Sequence, residues 1–295
     1  MMAGRKIIVG SRDSKLAVAQ SKLIMAQIAK AHPELELELV TMKTTGDLIL
    51  DKRLDQIGGK GLFVKELDKA LLEGRIDISV HSLKDLPMET SPELPLVAFS
   101  GRENPLDVLV YPEGASCADQ KLPLGTSSLR RELQVKEIYP DWRVESVRGN
   151  LQTRLSKLDS GQYGAIILAY AGIARLGLKN RISRVFTADE VIPSAGQGII
   201  AVQGRAEEDY SFLDCVNDKN SEMCAKAERA FVTYLDGGCS SPIGAFAEIS
   251  GDEILIRGLY YNEETKEYHK GRETGKISDG EMLAVTLAKR LKDGK

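Results

Sequence analysis

Strand-like and helix-like segments alternate through the first two-thirds of the chain, and this alternation constrains the fold more than any other feature. Ile7-Ile8-Val9 reads as a strand, and apolar residues over 16–26 follow it at three- and four-residue spacing. A second set of alternating segments begins after 101–105. Strands that alternate with helices predict an α/β fold of mainly parallel sheets with helices on both faces. Two sets of similar size predict two similar domains with a cleft between them.

The pattern changes after about residue 217. A helical stripe of apolar residues spans 224–235, and three strand-like segments follow it in close succession. Ser278 and Glu281 have the spacing of a capping box and predict a final helix over 282–291. Strands that are grouped, not interleaved with helices, predict a third, α+β domain with a small antiparallel sheet.

Composition and charge narrow the function classes. Hydrophobic residues make up 42% of the 295 residues and charged residues 28%, which is typical of a chain that folds around a core. A net charge of -3 and only 5% aromatic residues disfavour binding to DNA or RNA. The sequence shows no apolar signal segment, and its longest apolar runs are shorter than the roughly 20 residues that span a bilayer. We therefore expect a cytoplasmic protein without a nucleic-acid or membrane partner.

Several common motifs are absent from the sequence. No G-x-G-x-x-G follows a strand, no G-x-S-x-G or H-E-x-x-H occurs, and Gly58-Gly59-Lys60-Gly61 does not have the spacing of a P-loop. The cysteines form no C-x-x-C pair, so we expect no metal site. These absences disfavour the usual nucleotide-binding enzymes, serine hydrolases and metalloproteases.

Polar and basic residues gather at four places where a predicted strand meets a helix or a turn. These junctions lie at 11–14, 81–85, 125–131 and 148–150. In open α/β sheets, ligands bind outside the carboxyl ends of the strands, and the free N–H groups of a helix N-terminus favour anions. The four junctions therefore predict a site for a carboxylate or phosphate ligand.

Arginine recurs at or near these junctions. A guanidinium group binds a carboxylate through two hydrogen bonds, so several arginines on separate junctions predict a ligand with many acidic groups. For each arginine taken alone, a solvated surface charge is the favoured interpretation, whereas for the adjacent Arg130 and Arg131, just after Gly-Thr-Ser-Ser, the two interpretations are even. The arginines concerned are Arg12, Arg130, Arg131, Arg148, Arg154 and Arg175.

Asp85 comes just after a predicted strand and just before a Leu-Pro pair. It suits either a turn or helix-capping residue or a carboxylate that stabilises a substrate cation and moves a proton. Lys84 suits either a contact to an anion or a Schiff-base lysine, and we favour the anion contact. His81 suits a buried strand position.

Cys239 lies between Gly237-Gly238 and Pro242, in a tight loop between elements. A loop cysteine is usually inert or merely reactive, but the neighbouring glycines allow a bulky group to approach, so covalent attachment of a cofactor is possible here. Cys224 falls on the helical stripe and is expected in the core.

The sequence closely resembles the porphobilinogen deaminase, or hydroxymethylbilane synthase, family. The similarity runs in order over nearly the whole chain, and VHSLKDLP, GTSSLRR and a later GGC are highly specific in combination. The matching segments are 10–17, 58–67, 80–87, 125–131, 147–158, 165–178, 193–198 and 236–244.

The resemblance implies a transferase of tetrapyrrole (haem) biosynthesis. Such an enzyme joins four porphobilinogen molecules head to tail, releases ammonia and forms 1-hydroxymethylbilane. It uses a dipyrromethane cofactor held by a thioether, and the match assigns the attachment to Cys239. The family fold has two domains like those of periplasmic binding proteins and a third that carries the cofactor cysteine. The resemblance places these domains at 1–100 with 195–216, at 101–194, and at 217–295.

The resemblance also implies roles for individual residues. Asp85 matches the catalytic carboxylate, which helps to protonate the departing amine and stabilises the positive azafulvene. Further residues match the groups that bind the carboxylates of cofactor and substrate. They are Arg12, Ser14, Lys60, Ser82, Lys84, Thr126, Ser127, Ser128, Arg130, Arg131, Arg148, Arg154 and Arg175.

Lys60 matches a basic residue of the flexible loop of the family, so we expect 46–59 to act as a lid. This chain has Gln56 where family members have lysine, which predicts a weaker positive charge in that loop. We expect a monomer.

Two other functions compete with this interpretation. An anion-binding module or regulator domain would explain the arginines at the junctions, but it would leave Asp85 and Cys239 unexplained. A pyridoxal-phosphate enzyme would use Lys84 as its Schiff-base lysine.

Overall fold

The computed structural model describes residues 5–44, 64–237, 242–262 and 264–294. In chain order the strands are β1 (Lys6–Arg12), β2 (Glu36–Met42), β3 (Ile78–Ser82), β4 (Leu96–Phe99), β5 (Asp107–Val110), β6 (Leu124–Gly125), β7 (Val144–Glu145), β8 (Ala165–Ala169), β9 (Arg184–Val185), β10 (Ile200–Gln203), β11 (Gly244–Ser250), β12 (Glu253–Tyr261) and β13 (Tyr268–Lys276). The α-helices are α1 (Lys15–Ala31), α2 (Lys65–Leu72), α3 (Leu129–Ile138), α4 (Leu151–Asp159), α5 (Tyr170–Arg175), α6 (Lys219–Tyr234) and α7 (Gly280–Lys292).

The first sheet has the strand order β2-β1-β3-β10-β4. Strand β1 is parallel to β2 and β3, whereas β10 runs antiparallel between β3 and β4. Ile7 and Val9 of β1 pack with Ile24 and Ile28 of α1, and all four are fully buried. This burial is the physical reason for the alternating pattern at the start of the chain. We call this sheet and its helices the first unit.

The second sheet has the order β7-β6-β8-β5-β9 and repeats the pattern of the first. Strand β6 is parallel to β7 and β8, and β5 is antiparallel to β8 and β9. The expected pair of similar α/β sheets is therefore confirmed, with the parallel pairings on one side of each sheet and the antiparallel pairings on the other. We call this sheet and its helices the second unit.

Strand β10 returns to the first sheet after the chain has passed through the second sheet. Two segments of the chain therefore cross between the units, one between β4 and β5 and one before β10. This strand membership supports the discontinuous first domain, whose boundaries remain a prediction.

The third unit is the expected antiparallel meander β11-β12-β13, packed against α6 and α7. Its core includes Phe231 of α6, Ile254 of β12 and Leu287 of α7, all fully buried. The sheet approaches the helices closely at Gly258, where a β-carbon would lie 2.5 Å from the ring of Phe231. Only glycine fits this contact without a shift of the aromatic ring.

The expected capping box at the start of α7 is wrong. The residues from Ile277 to Asp279 form a 3₁₀ turn, and Asp279, not Ser278, occupies the capping position, without a side-chain bond to the backbone. The hydroxyl of Ser278 donates instead to the carboxylate of Asp279 at 3.1 Å. The additional turn moves Ser278 outside the helix start, so it cannot reach the free N–H groups of α7.

Glu228 of α6 joins the third unit to both crossing segments. Its fully buried carboxylate accepts two hydrogen bonds from Arg102, at 2.7 and 2.9 Å, and one from the backbone N–H of Gly196 at 2.7 Å. It also accepts from the N–H of Ala247 in β11 at 2.7 Å. This carboxylate therefore fixes the position of three separate chain segments against one helix.

We predict that Glu228→Gln lowers the free energy of unfolding by about 3 kcal/mol, because it leaves the buried guanidinium of Arg102 without its counter-ion. Urea titration followed by circular dichroism measures the change. Glu222→Gln on the same helix is the matched control, since Glu222 pairs with Lys226 at the surface and its loss costs under about 1 kcal/mol. Equal stability losses in the two variants would contradict this role of Glu228.

Candidate functional site

The ends of several strands in the first and second units surround one cavity of about 620 Å³. Both units contribute to its walls, as the pattern of polar junctions predicts. The predicted site residues that line it are Arg12, Ser14, Ser82, Lys84, Asp85, Arg131, Arg148, Arg154 and Arg175.

Arg12 and Ser14 reach the cavity at the junction of β1 and α1. Arg12 is the last residue of β1, and Ser14 caps α1 by accepting a hydrogen bond from the N–H of Ala17 at 3.3 Å. The N-terminus of this long helix therefore faces the cavity next to a guanidinium group. Both features favour a negatively charged ligand.

Lys84 and Asp85 lie in the 3₁₀ turn Leu83–Asp85 that follows β3. Leu83 is fully buried and anchors the turn, so that the two charged neighbours line the cavity. The ammonium group of Lys84 donates to the side-chain oxygen of Gln197 at 3.2 Å. Burial lowers the pKa of Lys84 to about 8, although the negative charge of Asp85 opposes the shift. Lys84 is thus a desolvated cation beside a carboxylate.

His81 is buried in β3, as expected, and its Nε2 lies 2.7 Å from the hydroxyl of Ser79. Burial and the charge of Arg12 lower the pKa of His81 to about 4, so the ring is neutral near pH 7. It also borders a small pocket of about 40 Å³ next to Asp85.

Asp107 at the start of β5 is a buried counter-ion for two adjacent arginines. Its carboxylate accepts from Arg130 and from Arg131, each at 2.8 Å, and from the side-chain amide of Gln197 at 2.8 Å. The two guanidinium groups hold the pKa of Asp107 well below its usual range, despite its complete burial. Asp107 is therefore ionised and neutralises one of the two positive charges.

Arg130 does not line the cavity. It is 2% exposed, and its guanidinium also donates to the hydroxyl of Ser194 at 3.0 Å and to the backbone oxygen of Ile192. Arg131 lines the cavity, and its Nε is buried without a hydrogen-bond partner. Direct binding of a ligand by Arg130 remains a prediction.

Thr126, Ser127 and Ser128 lie before α3 and do not line the cavity either. The hydroxyl of Ser127 donates to the backbone oxygen of Val147 at 2.6 Å. The hydroxyl of Thr126 accepts from the N–H of Ser128 at 3.2 Å. These contacts shape the turn into α3, so direct contact between these side chains and a ligand stays a prediction.

Arg148 and Arg154 lie on either side of the start of α4. Asn150 caps this helix by accepting from the N–H of Thr153 at 2.9 Å, and Gly149 adopts a φ of +115° that permits the turn. Arg154 donates to the backbone oxygen of Gly149 at 2.8 Å. Burial, together with the charges of Arg131 and Arg148, lowers the pKa of Arg154 to about 10. The arginines repel one another and are suited to an anionic ligand.

Arg175 at the end of α5 reaches across to the crossing segment before β10. It donates to the backbone oxygen of Gly198 at 2.5 Å, and burial lowers its pKa to about 10, against the opposing charge of Glu103. The cavity wall thus includes a cation at the junction between the two units.

Two glutamines of the cavity wall were missed by the reasoning from sequence. Gln20 exchanges hydrogen bonds with the hydroxyl of Ser82 at 2.8 and 3.1 Å. Gln197 links Lys84 to Asp107. Gln20 falls on the buried face of α1, where periodicity alone indicates core, while Gln197 belongs to the segment 193–198 that carried part of the resemblance. That segment was the available signal for Gln197.

The cysteines of the described part of the chain are not placed for attachment of a cofactor in the cavity. Cys224 lies in the core of the third unit, as expected, and burial raises its pKa to about 12. Cys117 and Cys215 are exposed free thiols outside the cavity wall. Cys239, Lys60, Gln56 and the expected lid at 46–59 lie outside the described residues.

Two other expectations concern a metal site and a membrane-spanning helix. Among residues 5–44, 64–237, 242–262 and 264–294, no cluster of three histidine, cysteine or acidic side chains could hold a metal ion. Within the same ranges, no helix is long and apolar enough to span a membrane.

Comparisons with known proteins give a consistent family. The family model described as "Porphobilinogen deaminase, dipyromethane cofactor binding domain" matches residues 7–212, and the model of the C-terminal domain of that family matches residues 222–293. A protein of Ruminiclostridium josui named porphobilinogen deaminase is 54% identical over 291 residues, which cover 99% of each chain. A second, from Ruminiclostridium cellulolyticum, is 54% identical over 287 residues, or 97% of this chain and 98% of the relative.

A solved structure, titled "BenM effector binding domain with its effector benzoate", is 16% identical, with a TM-score of 0.43. It covers 72% of this chain and 89% of its own. The family models and the full-length relatives, matched over the cavity and over the third unit, show that this chain belongs to the porphobilinogen deaminase family.

Proposed function

We propose that this chain is a transferase that condenses four porphobilinogen molecules head to tail, with the release of ammonia, to give 1-hydroxymethylbilane for tetrapyrrole synthesis. The observation that carries the proposal is the set of five arginines that line one cavity together with Asp85. Each pyrrole ring carries an acetate and a propionate, so a ligand built from such rings brings the carboxylates that guanidinium groups bind through paired hydrogen bonds.

The residues present fit a dipyrromethane cofactor. Two pyrrole rings bring four carboxylates, and the cavity wall offers Arg12, Arg131, Arg148 and Arg154, together with the unpartnered Nε of Arg131. When bound, the cofactor supplies the pyrrole carbon to which the first substrate is joined. We assign its covalent attachment to Cys239, by the match to the family motif.

Asp85 is the carboxylate that performs the chemistry in this proposal. Its carboxyl group donates a proton to the departing amine and, once ionised, stabilises the positive charge that remains on the substrate methylene. Two opposite unit charges 4 Å apart attract each other by about 4 kcal/mol at an effective dielectric constant of about 20. Lys84 and the surrounding arginines keep the carboxylates of the substrate away from this cation.

The chain acts as a monomer in this proposal. The described part of the cavity wall comes from the first and second units of one chain, which supports a site contained within a single copy.

We predict that Asp85→Asn lowers kcat at least a hundredfold, because the amide can neither donate the proton nor carry the negative charge. Release of ammonia per mole of cofactor-loaded enzyme measures the rate, and intact mass gives the loading. Asp85→Glu is the matched control, because it retains the carboxyl group and recovers part of the rate. A kcat for Asp85→Asn within tenfold of wild type would refute the central role of Asp85.

We predict that Cys239→Ser yields a chain without the dipyrromethane mass and without activity, because serine cannot form the thioether. Intact mass under denaturing conditions measures the adduct. Cys117→Ser, Cys215→Ser and Cys224→Ser are the controls and keep the adduct. If the adduct persists in Cys239→Ser and is lost in one of the three controls, the attachment belongs to the cysteine that this control replaces.

We predict a decrease in kcat/KM as the pH rises through about 8. The pKa of Lys84 is about 8 in the free protein, so Lys84 is a cation below this pH and neutral above it, where it attracts substrate carboxylates less. The dependence of kcat on pH is flatter, since a substrate carboxylate bound beside Lys84 raises the pKa of Lys84. Lys84→Gln removes the decrease near pH 8, and an unchanged pH profile in this variant would assign the decrease to another group.

A further inference from the structure

Asp107 is buried behind the cavity wall and takes no part in the mechanism described above. It is 0% exposed and is not among the residues that line the cavity. Its two oxygens nevertheless receive three side-chain donors, from Arg130, Arg131 and Gln197, each at 2.8 Å. Asp107 therefore connects two arginines of α3 with a glutamine of the crossing segment before β10.

The two arginines differ in the partners that they have besides Asp107. Arg130 has further partners on the crossing segment, namely the hydroxyl of Ser194 and the backbone oxygen of Ile192, so its guanidinium is held within the protein. Arg131 has Asp107 and, at 3.3 Å, the backbone oxygen of Ile167. Its remaining Nε is buried without a partner, on a side chain that lines the cavity. Asp107 therefore fixes the orientation of the arginine that is available to a ligand.

A chain of hydrogen bonds leads from Asp107 to the neighbour of Asp85. The amide nitrogen of Gln197 donates to Asp107, and its amide oxygen accepts from Lys84 at 3.2 Å. The same amide nitrogen also donates to the backbone oxygen of Pro105 at 2.6 Å, which fixes the orientation of the amide. The position of Lys84 in the first unit therefore depends on a carboxylate in the second unit.

We infer that Asp107 is a positioning residue, which holds Arg131 directly and Lys84 through Gln197 in the orientation that receives the carboxylates of substrate and cofactor. This inference rests on the proposed function. An asparagine at this position keeps the shape but offers a single oxygen to three donors, and its own amide N–H groups face further donors. Both cavity cations then lose the contact that orients them.

The test is Asp107→Asn in the full-length, cofactor-loaded enzyme. We expect KM for porphobilinogen to rise at least tenfold while kcat falls less than threefold, at a temperature at which the variant is folded by circular dichroism. A folded Asp107→Asn variant that lacks the cofactor mass also supports the inference, because the carboxylates of the cofactor bind the same arginine. Unchanged KM and full cofactor loading, with only a lower Tm, would overturn the inference and leave Asp107 a purely structural residue.

Asp77→Asn is the matched control. Asp77 precedes β3 and accepts from the N–H of Ile8 at 2.7 Å and from Arg205 at 3.4 Å, away from the cavity. It is expected to lower Tm with KM and cofactor loading unchanged. If Asp77→Asn raises KM as much as Asp107→Asn does, the loss of any carboxylate that binds an arginine has this effect. That result would contradict a specific role for Asp107.

A double-mutant cycle with Arg131→Gln separates positioning from folding. If Asp107 acts through Arg131 and, by way of Gln197, through Lys84, the double variant exceeds the KM of Arg131→Gln by no more than the factor that Gln197→Met alone produces, because the directly positioned group is already absent. A KM of the double variant that rises by the full product of the two single-variant increases would contradict the inference.

Gln197→Met keeps the test decisive if Asp107→Asn fails to fold. This variant breaks the link to Lys84 while both ion pairs stay intact, and we expect KM to rise at least threefold. An unchanged KM in folded Gln197→Met would contradict the inference. Wild-type enzyme that forms no hydroxymethylbilane would instead refute the proposed function, so the two failures are distinguishable.

Discussion

The charge balance between buried arginines and carboxylates is the interaction on which the rest of the structure depends. Arg131, Arg148 and Arg154 lie close enough for Arg131 and Arg148 to lower the pKa of Arg154, yet each is held by the protein at the wall of one cavity. Buried like charges are costly unless opposite charges meet them. Asp107 supplies one such charge within the protein, and in the proposed function the carboxylates of the ligand add further ones. In the proposed function, Asp85 is the carboxylate at this cavity wall that stabilises the cation formed on the substrate.

The fold brings these charges together by repeating one sheet pattern twice. Each of the two sheets places its parallel strands on one side, and the ends of strands from both units meet at the cavity. The crossing segments between the units are themselves anchored: Arg102 and Gly196 are bound by Glu228 of the third unit, and Gln197 connects Lys84 with Asp107. Anchoring at the crossing segments keeps cations from both units at a fixed separation, as recognition of several carboxylates requires.

Local patterns predicted the elements well, but they did not predict contacts between distant segments. Alternating burial in β1 and α1 produced a periodicity that predicted both elements. The capping box failed because the residues from Ile277 to Asp279 form a 3₁₀ turn, which places Asp279 and not Ser278 at the capping position, a difference that spacing alone does not encode. The strand membership of β10 and the role of Asp107 depend on partners far apart in the chain; Gln197 lies 90 residues from Asp107. The adjacent Arg130 and Arg131 are indistinguishable in sequence and are both buried, and only their packing places Arg131 but not Arg130 at the cavity wall.

The most direct test of the account is the intact mass of the purified enzyme during turnover of porphobilinogen, measured after rapid denaturation. The account predicts a ladder of covalent species above the cofactor-loaded mass, each step equal to one porphobilinogen less one ammonia, together with release of ammonia in the same proportion. A mass that stays constant while porphobilinogen is bound but not consumed would contradict it, and would leave the arginine-lined cavity as the binding site of a protein without this activity.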